Sequence, residues 1–304
     1  MPLRHVDPEA KGKDDDNDRC EPTDAESLAA RLRGLGSCAS SPSQLPRNVC
    51  NGRHRLDRPE PSSRALVSLP MQKRAILFDI DGTLVDSNDA HVEAWQRAFA
   101  AEGYAFSRAE IHGQIGKGGD NLVPSLLPEV SVEVQERLAA AESETYKRDF
   151  MTRVEPLDGA SEVLKNLAER GHTLILASSA SRAEVDFYVD LLDADGLISG
   201  TTSKDDVPHS KPCPDIFTAA LALTGGPAAS AIVIGDTPYD VLAARRAGIE
   251  AIAVLSGGFA REELASCGPV AIYESVADIE GNYETSPIAT DRRRLPPNSC
   301  GHRL

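Results

Sequence analysis

The sequence lacks the features of a membrane-spanning, exported or nucleic-acid-binding protein. No stretch approaches the run of about 18 apolar residues that a transmembrane helix requires, and the amino terminus has no basic-then-apolar export signal. Positive charge is scarce, since 32 Lys and Arg stand against 47 Asp and Glu and leave a net charge of −15. Such an excess of acid disfavours DNA, RNA and anionic membranes. We therefore predict a cytoplasmic protein with no nucleic acid and no membrane as a partner.

Cysteine patterns typical of zinc sites and of redox-active pairs are also missing. The six cysteines, at positions 20, 38, 50, 213, 267 and 300, include no Cys-x-x-Cys pair and no His/Cys cluster at zinc spacing. We interpret them as reduced thiols.

The charge balance does not exclude an anionic small molecule as a ligand, because a bound cation can reverse the field inside a site.

Sustained apolar periodicity is absent from the first 70 residues. A segment of this kind buries too little surface to offset the entropy of ordering it, so residues 1–70 are predicted to be a disordered extension. Met71 immediately precedes the first apolar run, and a chain beginning there would keep the whole expected domain. Residues 281–304 are polar and are interpreted as a second tail.

Between the tails, short apolar runs alternate with segments of helical periodicity. This alternation predicts an α/β fold with a doubly wound parallel sheet, formed by residues 71–86 and 154–280. The predicted strands are Ala75–Phe78, Thr173–Ala177, Ala231–Ile234 and Ala251–Leu255, with weaker ones at Leu197–Ile198 and Val270–Tyr273. The predicted helices of this core are Ala160–Glu169, Arg182–Leu192, Asp215–Leu223 and Asp240–Ala247.

Residues 87–153 interrupt this alternation, because they carry only helical signals. The predicted helices are Ala90–Ala101, Ser107–Gln114, Asn121–Leu126 and Val132–Phe150. We predict an all-helical cap, inserted after the first strand and lying over the strand ends. A cap in that position would exclude water from a site beneath it.

Polar side chains follow three of the predicted strands at the point where each strand ends. In open α/β sheets, ligands bind beyond the carboxyl ends of the strands. Carboxylates at alternate positions there can hold a hard cation, attack an electrophile or transfer protons. The groups concerned are Asp79 and Asp81 after the first strand, Ser178 and Ser179 after the second, Asp236 and Asp240 after the third, and Lys211 on a loop before a helix.

These motifs, in this order, resemble the haloacid dehalogenase superfamily of phosphohydrolases. The likeness is greatest to the members whose helical cap follows the first motif, which include phosphoglycolate phosphatase, sugar-phosphate phosphatases and β-phosphoglucomutase. It extends over about residues 73–280 and leaves out both tails. The resemblance implies a hydrolase that acts on a small phosphorylated metabolite.

The resemblance also implies a mechanism. Asp79 would attack phosphorus to form an aspartyl-phosphate, and Asp81 would protonate the leaving alkoxide and later activate water. A carboxylate approaching a phosphate dianion meets a repulsion of ~4 kcal/mol per charge pair at about 4 Å and an effective dielectric of about 20. Cations are therefore needed. They would be Lys211 and a Mg²⁺ ion held by Asp79, the Asp81 carbonyl and Asp236, with Asp240 in a supporting position.

Further contacts with phosphate or substrate are implied around these acids. Trp95 shares one face of the first cap helix with His91; we interpret Trp95 as core and leave open a substrate contact by His91. Lys117 lies in a glycine-rich cap loop, where it either faces solvent or binds a carboxylate, hydroxyl or second phosphate of the substrate. The full set is Thr83, Ser178, Ser179, Lys211, His91 and Lys117.

Two other functions fit part of the pattern. A mutase similar to β-phosphoglucomutase would share the acids, but that enzyme has two adjacent acids where this chain has Gly235-Asp236. A binding or regulatory protein on the same fold would not need the catalytic residues that are present here. Haloacid dehalogenases and phosphonate hydrolases fit less well, because both lack an acid at the position of Asp81. The motifs specify neither the leaving group nor the oligomeric state.

Overall fold

The computed structural model describes residues 4–5 and 73–290 of the chain, so the predicted disorder of the rest of residues 1–70 lies outside the described residues. A parallel sheet of six strands forms the centre, with the strand order β5-β4-β2-β6-β7-β8. The predicted doubly wound sheet is confirmed. Its strands are β2 (Ala75–Phe78), β4 (Thr173–Ala177), β5 (Gly200–Thr202), β6 (Ala231–Gly235), β7 (Glu250–Val254) and β8 (Ala271–Tyr273).

The strand order reverses between β2 and β6. The chain first builds outward from β2 through β4 to β5, and then returns to the other side of β2 and builds outward through β6 to β8. Phe78, the last residue of β2, lies in register with Leu176 of β4 and Ile234 of β6. A reversal of this kind leaves a crevice at the carboxyl ends of the two central strands, where ligands bind in such sheets.

Helices cover both faces of the sheet because successive residues of each buried strand point to opposite sides. The helices are α5 (Ala160–Glu169), α6 (Arg182–Leu191), α7 (Asp215–Thr224), α8 (Pro238–Arg246), α9 (Arg261–Ser266) and α10 (Val276–Gly281). Ile76 and Phe78 of β2 pack on one face with α5, α6 and α10. Ala75 and Leu77 pack on the other face with α7, α8 and α9.

The cap is a separate packing unit with its own apolar cluster, which includes Trp95, Phe99 and Leu122. Trp95 is therefore core, as interpreted from the sequence. The cap is not entirely helical, because the two-residue strand β3 (Tyr104–Ala105) pairs in parallel with β1 (Arg4–His5). Its helices are α1 (Asn88–Ala101), α2 (Arg108–His112), α3 (Gly119–Leu126) and α4 (Val132–Asp149).

The chain enters and leaves the cap through two segments that lie side by side. The Asp86 amide donates to the Glu155 carbonyl at 2.9 Å, and the Leu157 amide donates to the Leu84 carbonyl at 2.8 Å. The cap is thus joined to the core by a short paired crossing. None of the helices in the described residues has the length and apolar character that a membrane crossing requires.

Three expectations from the sequence need correction. The apolar pair Leu197–Ile198 is not a strand; both residues pack on the core from a turn, and the edge strand is formed by Gly200–Thr202. Residues 281–290 are not a free polar tail, because Tyr283 and Ile288 are buried in the core. Cys213 is disulfide-bonded, so the expectation of reduced thiols is wrong for this residue.

The buried His172 links the start of the sheet to the segment beyond α10. Its Nδ1 accepts from the Arg74 amide at 3.1 Å, so its Nε2 carries the proton and donates to the Tyr283 hydroxyl at 2.7 Å. Burial lowers the pKa of His172 below its ordinary value, because the charged ring would lose hydration. The folded protein therefore holds this side chain neutral.

We expect the neutral His172 to make stability depend on pH. Because the pKa of His172 is lower in the folded state, the unfolded chain binds more protons once the pH falls below about 6.5. Proton uptake by the unfolded chain then lowers the free energy of unfolding as the pH falls further. The melting temperature of His172→Gln should therefore fall less than that of the parent protein between about pH 7 and pH 5. His209→Gln, at a partly exposed imidazole, is the matched control. The prediction would be wrong if the melting temperatures of His172→Gln and of the parent protein fell equally over this pH range.

Candidate active site

The carboxyl end of β2 delivers Asp79 and Asp81 to the crevice. The Asp79 amide donates to the Ile234 carbonyl of β6 at 2.9 Å, which continues the strand pairing to the first acid. Gly82 then turns the chain with a φ of 71°, and a Cβ at this position would meet the Asp236 carboxylate at 2.3 Å. Only glycine combines this backbone conformation with so close an approach.

Three buried carboxylates meet beyond β2 and β6. Asp79, Asp236 and Asp240 each offer an oxygen, and these oxygens lie within 4.8 Å of one another. The ammonium of Lys211, which has no solvent exposure, lies 2.5 Å from Asp79 Oδ1 and 2.7 Å from Asp240 Oδ1. One buried cation thus faces three buried acids, which leaves an excess of negative charge.

The excess of negative charge shifts the pKa values of the clustered acids and of Lys211. Burial, reinforced by repulsion from Asp240, raises the pKa of Asp79 well above its ordinary value and that of Asp236 to about 7. Burial opposes the charge of Lys211, but the Asp240 and Asp79 carboxylates raise its pKa above the ordinary value. Clustered carboxylate oxygens suit a hard divalent cation, whose charge would offset this repulsion. The donor set therefore fits such an ion.

Neighbouring side chains fix the orientation of these acids. Thr83 Oγ1 donates to Asp236 Oδ1 at 2.9 Å, and Asn88 Nδ2 donates to Asp236 Oδ2 at 3.0 Å. Asp240 Oδ2 accepts from the amide and hydroxyl of Thr237 at 3.0 and 2.6 Å, which caps the start of α8. Asp240 thus has partners on both oxygens, Lys211 and Thr237, and supports the cluster from behind.

Asp81 lies apart from this cluster and contacts the cap. Its Oδ1 accepts from Ser87 Oγ at 2.6 Å and lies 3.3 Å from His91 Nε2. Its Oδ2 accepts from Ser178 Oγ at 3.2 Å. Burial favours the neutral acid, but the hydrogen bond and charge of His91, together with Ser87, lower the pKa of Asp81 to about 2. Asp81 is therefore ionised in this arrangement.

His91 connects Asp81 of the core to Glu142 of the cap. Its Nδ1 lies 2.9 Å from Glu142 Oε1 of α4, and its ring stacks on Tyr146 at a centroid distance of 3.8 Å. Burial opposes protonation, yet the hydrogen bonds to Asp81 and Glu142 raise the pKa of His91 to about 10. The imidazolium thus joins two cap helices to Asp81 at the carboxyl end of β2.

A cavity of ≈ 70 Å³ lies between the cap and the strand ends. Among the residues predicted for the site, the cavity wall contains Asp79, Asp81, His91, Lys117, Ser179 and Lys211. The others lie behind that wall, fully buried: Thr83, Ser178, Asp236 and Asp240. The structure therefore brings all the predicted residues to one place. Six of them line the cavity, and the other four are buried beside it.

Lys117 and Ser179 both line the cavity and contact other groups of the protein. The Lys117 ammonium donates to Ser125 Oγ at 2.9 Å and lies 4.6 Å from the centre of the Tyr239 ring. Ser179 Oγ donates to the Gly116 carbonyl at 3.2 Å. The glycine-rich loop is thus tied both within the cap and to the core.

A cluster at the start of α3 holds the loop that carries Lys211. Ser210 is the core residue concerned. Its Oγ accepts from the Gly118 amide at 2.9 Å, and its amide donates to Asp120 Oδ2 at 3.0 Å. Asn121 Nδ2 donates to the Ser210 carbonyl at 3.0 Å. The position of the cap is thereby coupled to the position of Lys211.

Sequence reasoning missed the residues that act through these contacts. Glu142 is buried, but it lies within a long helix in which no local sequence pattern distinguishes it from the exposed acids. Ser87 and Asn88 directly follow the first motif, so their nearness to Asp79 and Asp81 in the chain was the available signal.

Comparison with known proteins agrees with the fold. The family model described as haloacid dehalogenase-like hydrolase matches residues 76–254. The chain is 30% identical to a probable phosphatase IndB of Dickeya dadantii over 69% of this chain and 93% of that protein. It is 28% identical to a phosphoglycolate phosphatase of Rhodospirillum rubrum over 68% of this chain and 89% of that protein.

Among solved structures, a hydrolase from Pseudomonas syringae matches with a TM-score of 0.67 and 33% identity, over 70% of this chain and 98% of that one. The matched family region begins within β2 and ends with β7, so it contains every predicted site residue. The chain therefore belongs to the haloacid dehalogenase-like hydrolase family.

Proposed function

We propose that this protein is a Mg²⁺-dependent phosphatase that hydrolyses a small phosphate monoester through an aspartyl-phosphate at Asp79. The observation that carries the proposal is the buried Asp79 carboxylate, held 2.5 Å from the Lys211 ammonium and facing the cavity under the cap. A nucleophile held by a cation and shielded from water suits attack on an anionic ester. The relatives named as phosphatases support the same reaction class.

The residues divide the reaction between them. Asp79 attacks phosphorus, and the Lys211 ammonium offsets the negative charge of the phosphoryl oxygens. Asp81 donates a proton to the leaving-group oxygen as the bond from that oxygen to phosphorus breaks. The contacts with His91 and Ser87 hold Asp81 ionised, so its carboxylate must first leave them and take up a proton from water. In the second half of the reaction, the Asp81 carboxylate removes a proton from the attacking water.

Asp79, Asp236 and the Asp81 carbonyl would hold Mg²⁺, with Asp240 in support. When bound, the ion would supply positive charge that offsets the repulsion between the acids and the phosphate. Asp240 already has the partners Lys211 and Thr237, which is consistent with an indirect role. Thr83 and Asn88 orient Asp236 toward the cluster.

Hydrolysis fits this chain better than the mutase alternative. The acid that this chain lacks is the one just before Asp236. A Cβ at position 235 would meet the Asp240 side chain at 2.5 Å, so an acidic side chain has no room there. The chain therefore departs from the mutase pattern at position 235, where the surrounding packing admits only a glycine.

The test is phosphate release from a panel of phosphoglycolate, sugar phosphates, pyrophosphate and p-nitrophenyl phosphate, with Mg²⁺ or with EDTA. We expect release from at least one small ester, and its loss in EDTA. Conversion of glucose 1-phosphate to glucose 6-phosphate without phosphate release would support a mutase. Absence of both reactions would contradict the proposal.

A further inference from the structure

Lys204 places a positive charge at the mouth of the cavity. It begins the short 3₁₀ turn Lys204–Asp206, just after β5. Lys204 lines both the cavity under the cap and a neighbouring open groove of ≈ 600 Å³. Within residues 73–290, its ammonium makes neither an ion pair nor a hydrogen bond. A cation in this setting is available to a ligand.

The other charged groups of the cavity have partners within the protein. Lys211 is bound to Asp79 and Asp240, and His91 lies between Asp81 and Glu142. The Lys117 ammonium contacts Ser125 and Tyr239, and Glu184 accepts from the Ser181 amide. Lys204 is therefore the cation of this cavity that is best placed to meet a second charge on the substrate.

The acids closest to Lys204 in the chain are bound elsewhere. Asp205 Oδ2 accepts from the Arg182 amide at 2.8 Å, and Asp206 forms an ion pair with the Arg182 guanidinium. Asp206 also accepts from the Ser203 amide at 2.7 Å, which closes the turn. These contacts fix the turn and direct both carboxylates toward other donors.

The backbone of Lys204 is held beside the catalytic strand ends. Its amide donates to the Ala180 carbonyl at 3.0 Å, and Ala180 follows Ser178 and Ser179 at the end of β4. The groove beyond Lys204 runs between α4 and the start of α6, and its wall includes Lys147 and Asp186. A substrate whose phosphate meets Asp79 can therefore place its other end near Lys204 and extend into the groove.

We propose that Lys204 binds a second anionic group, a carboxylate or a phosphate, on the leaving group of the substrate. The proposal rests on the proposed phosphatase function and narrows its substrate to phosphate esters or anhydrides with two anionic ends. An ammonium and an anion attract at this partly exposed position without requiring a fixed geometry. Neutral leaving groups gain nothing from the same side chain.

The experiment compares leaving groups in Lys204→Gln. Phosphoglycolate supplies a carboxylate and pyrophosphate a second phosphate, whereas p-nitrophenyl phosphate and glycerol 1-phosphate carry no second anionic group and serve as the neutral pair. We expect kcat/KM for the better anionic substrate to fall on the order of 10- to 100-fold, mainly through KM, and kcat/KM for the neutral pair to change by less than about 3-fold. Which anionic arm loses more identifies the second group. Lys165→Gln removes the same charge from an exposed position on α5. It should leave kcat/KM unchanged for both the anionic and the neutral substrates.

Two further variants guard against a purely structural effect. Lys204→Arg keeps the charge and should retain most of the activity on the anionic substrate, whereas Lys204→Glu should lose more than Lys204→Gln. Equal losses on anionic and neutral substrates, or no loss on either, would overturn the role of Lys204 while leaving the phosphatase function intact. Failure of the parent protein to hydrolyse any member of the panel would instead overturn the proposed function itself.

Discussion

Replacing Asp79 with Asn should abolish turnover. The substitution keeps the size of the side chain but replaces the attacking carboxylate with an amide, which is a far weaker nucleophile. We expect kcat to fall on the order of 10⁴-fold or more, equivalent to at least ~5.4 kcal/mol of barrier. The measurement is phosphate release from the best substrate of the panel under saturating Mg²⁺.

Two controls make the Asp79 result interpretable. Asp79→Ala cannot regain a carboxylate by deamidation, so it separates true residual activity from slow reversion. Thermal melting should show that both variants are folded, because each relieves repulsion in a cluster where burial and neighbouring acids already raise the pKa of Asp79. Near-normal phosphate release by Asp79→Asn, with or without EDTA, would show that another group attacks the substrate.

Asp236→Asn should have opposite effects on activity and on stability. Removing one carboxylate from the cation site should weaken Mg²⁺ binding and lower kcat/KM by at least about 100-fold. In EDTA, the same change removes a buried charge from a repulsive cluster, so the melting temperature should rise above that of the parent protein. The substituted amide fits, because its oxygen can accept from Asn88 Nδ2 and its NH₂ group can donate to the Thr83 hydroxyl, at the positions that the two Asp236 oxygens occupy.

The response to Mg²⁺ separates these effects. Added Mg²⁺ should raise the melting temperature of the parent protein, since a ligand that binds only the folded state stabilises it, and should raise that of Asp236→Asn much less. Asp190→Asn, which removes an exposed acid on α6, is the matched control and should respond as the parent protein does. An unchanged Mg²⁺ response in Asp236→Asn would remove Asp236 from the cation site.

The positions of the chemical groups follow from local sequence, because they depend on where buried strands end. Four apolar residues before Asp79 form a central strand, and a similar run before Asp236 forms its neighbour. Parallel pairing then brings the two acids together without further information. The cap is also readable, since its helices carry long periodic patterns.

Contacts between distant elements were not readable in the same way. Glu142 pairs with a histidine 51 positions earlier, and only the packing of α4 on α1 makes that pair. The edge strand β5, Gly-Thr-Thr, has no large apolar residue, so the nearby Leu197–Ile198 gave a stronger but wrong signal. Tyr283 and Ile288 stand as isolated apolar residues in a polar segment, and their burial depends on the core surface that receives them.

The central position of β2 and β6 affects how the molecule unfolds in parts. Both strands are paired on two sides, whereas β5 and β8 are three-residue edge strands paired on one side. Local opening begins where few contacts hold the backbone, so amide hydrogen exchange should be slowest beside Asp79 and Asp236 and faster around β5. Lys204 lies on that less protected side, so substitutions that change substrate choice can accumulate there with little effect on the strands that carry the nucleophile.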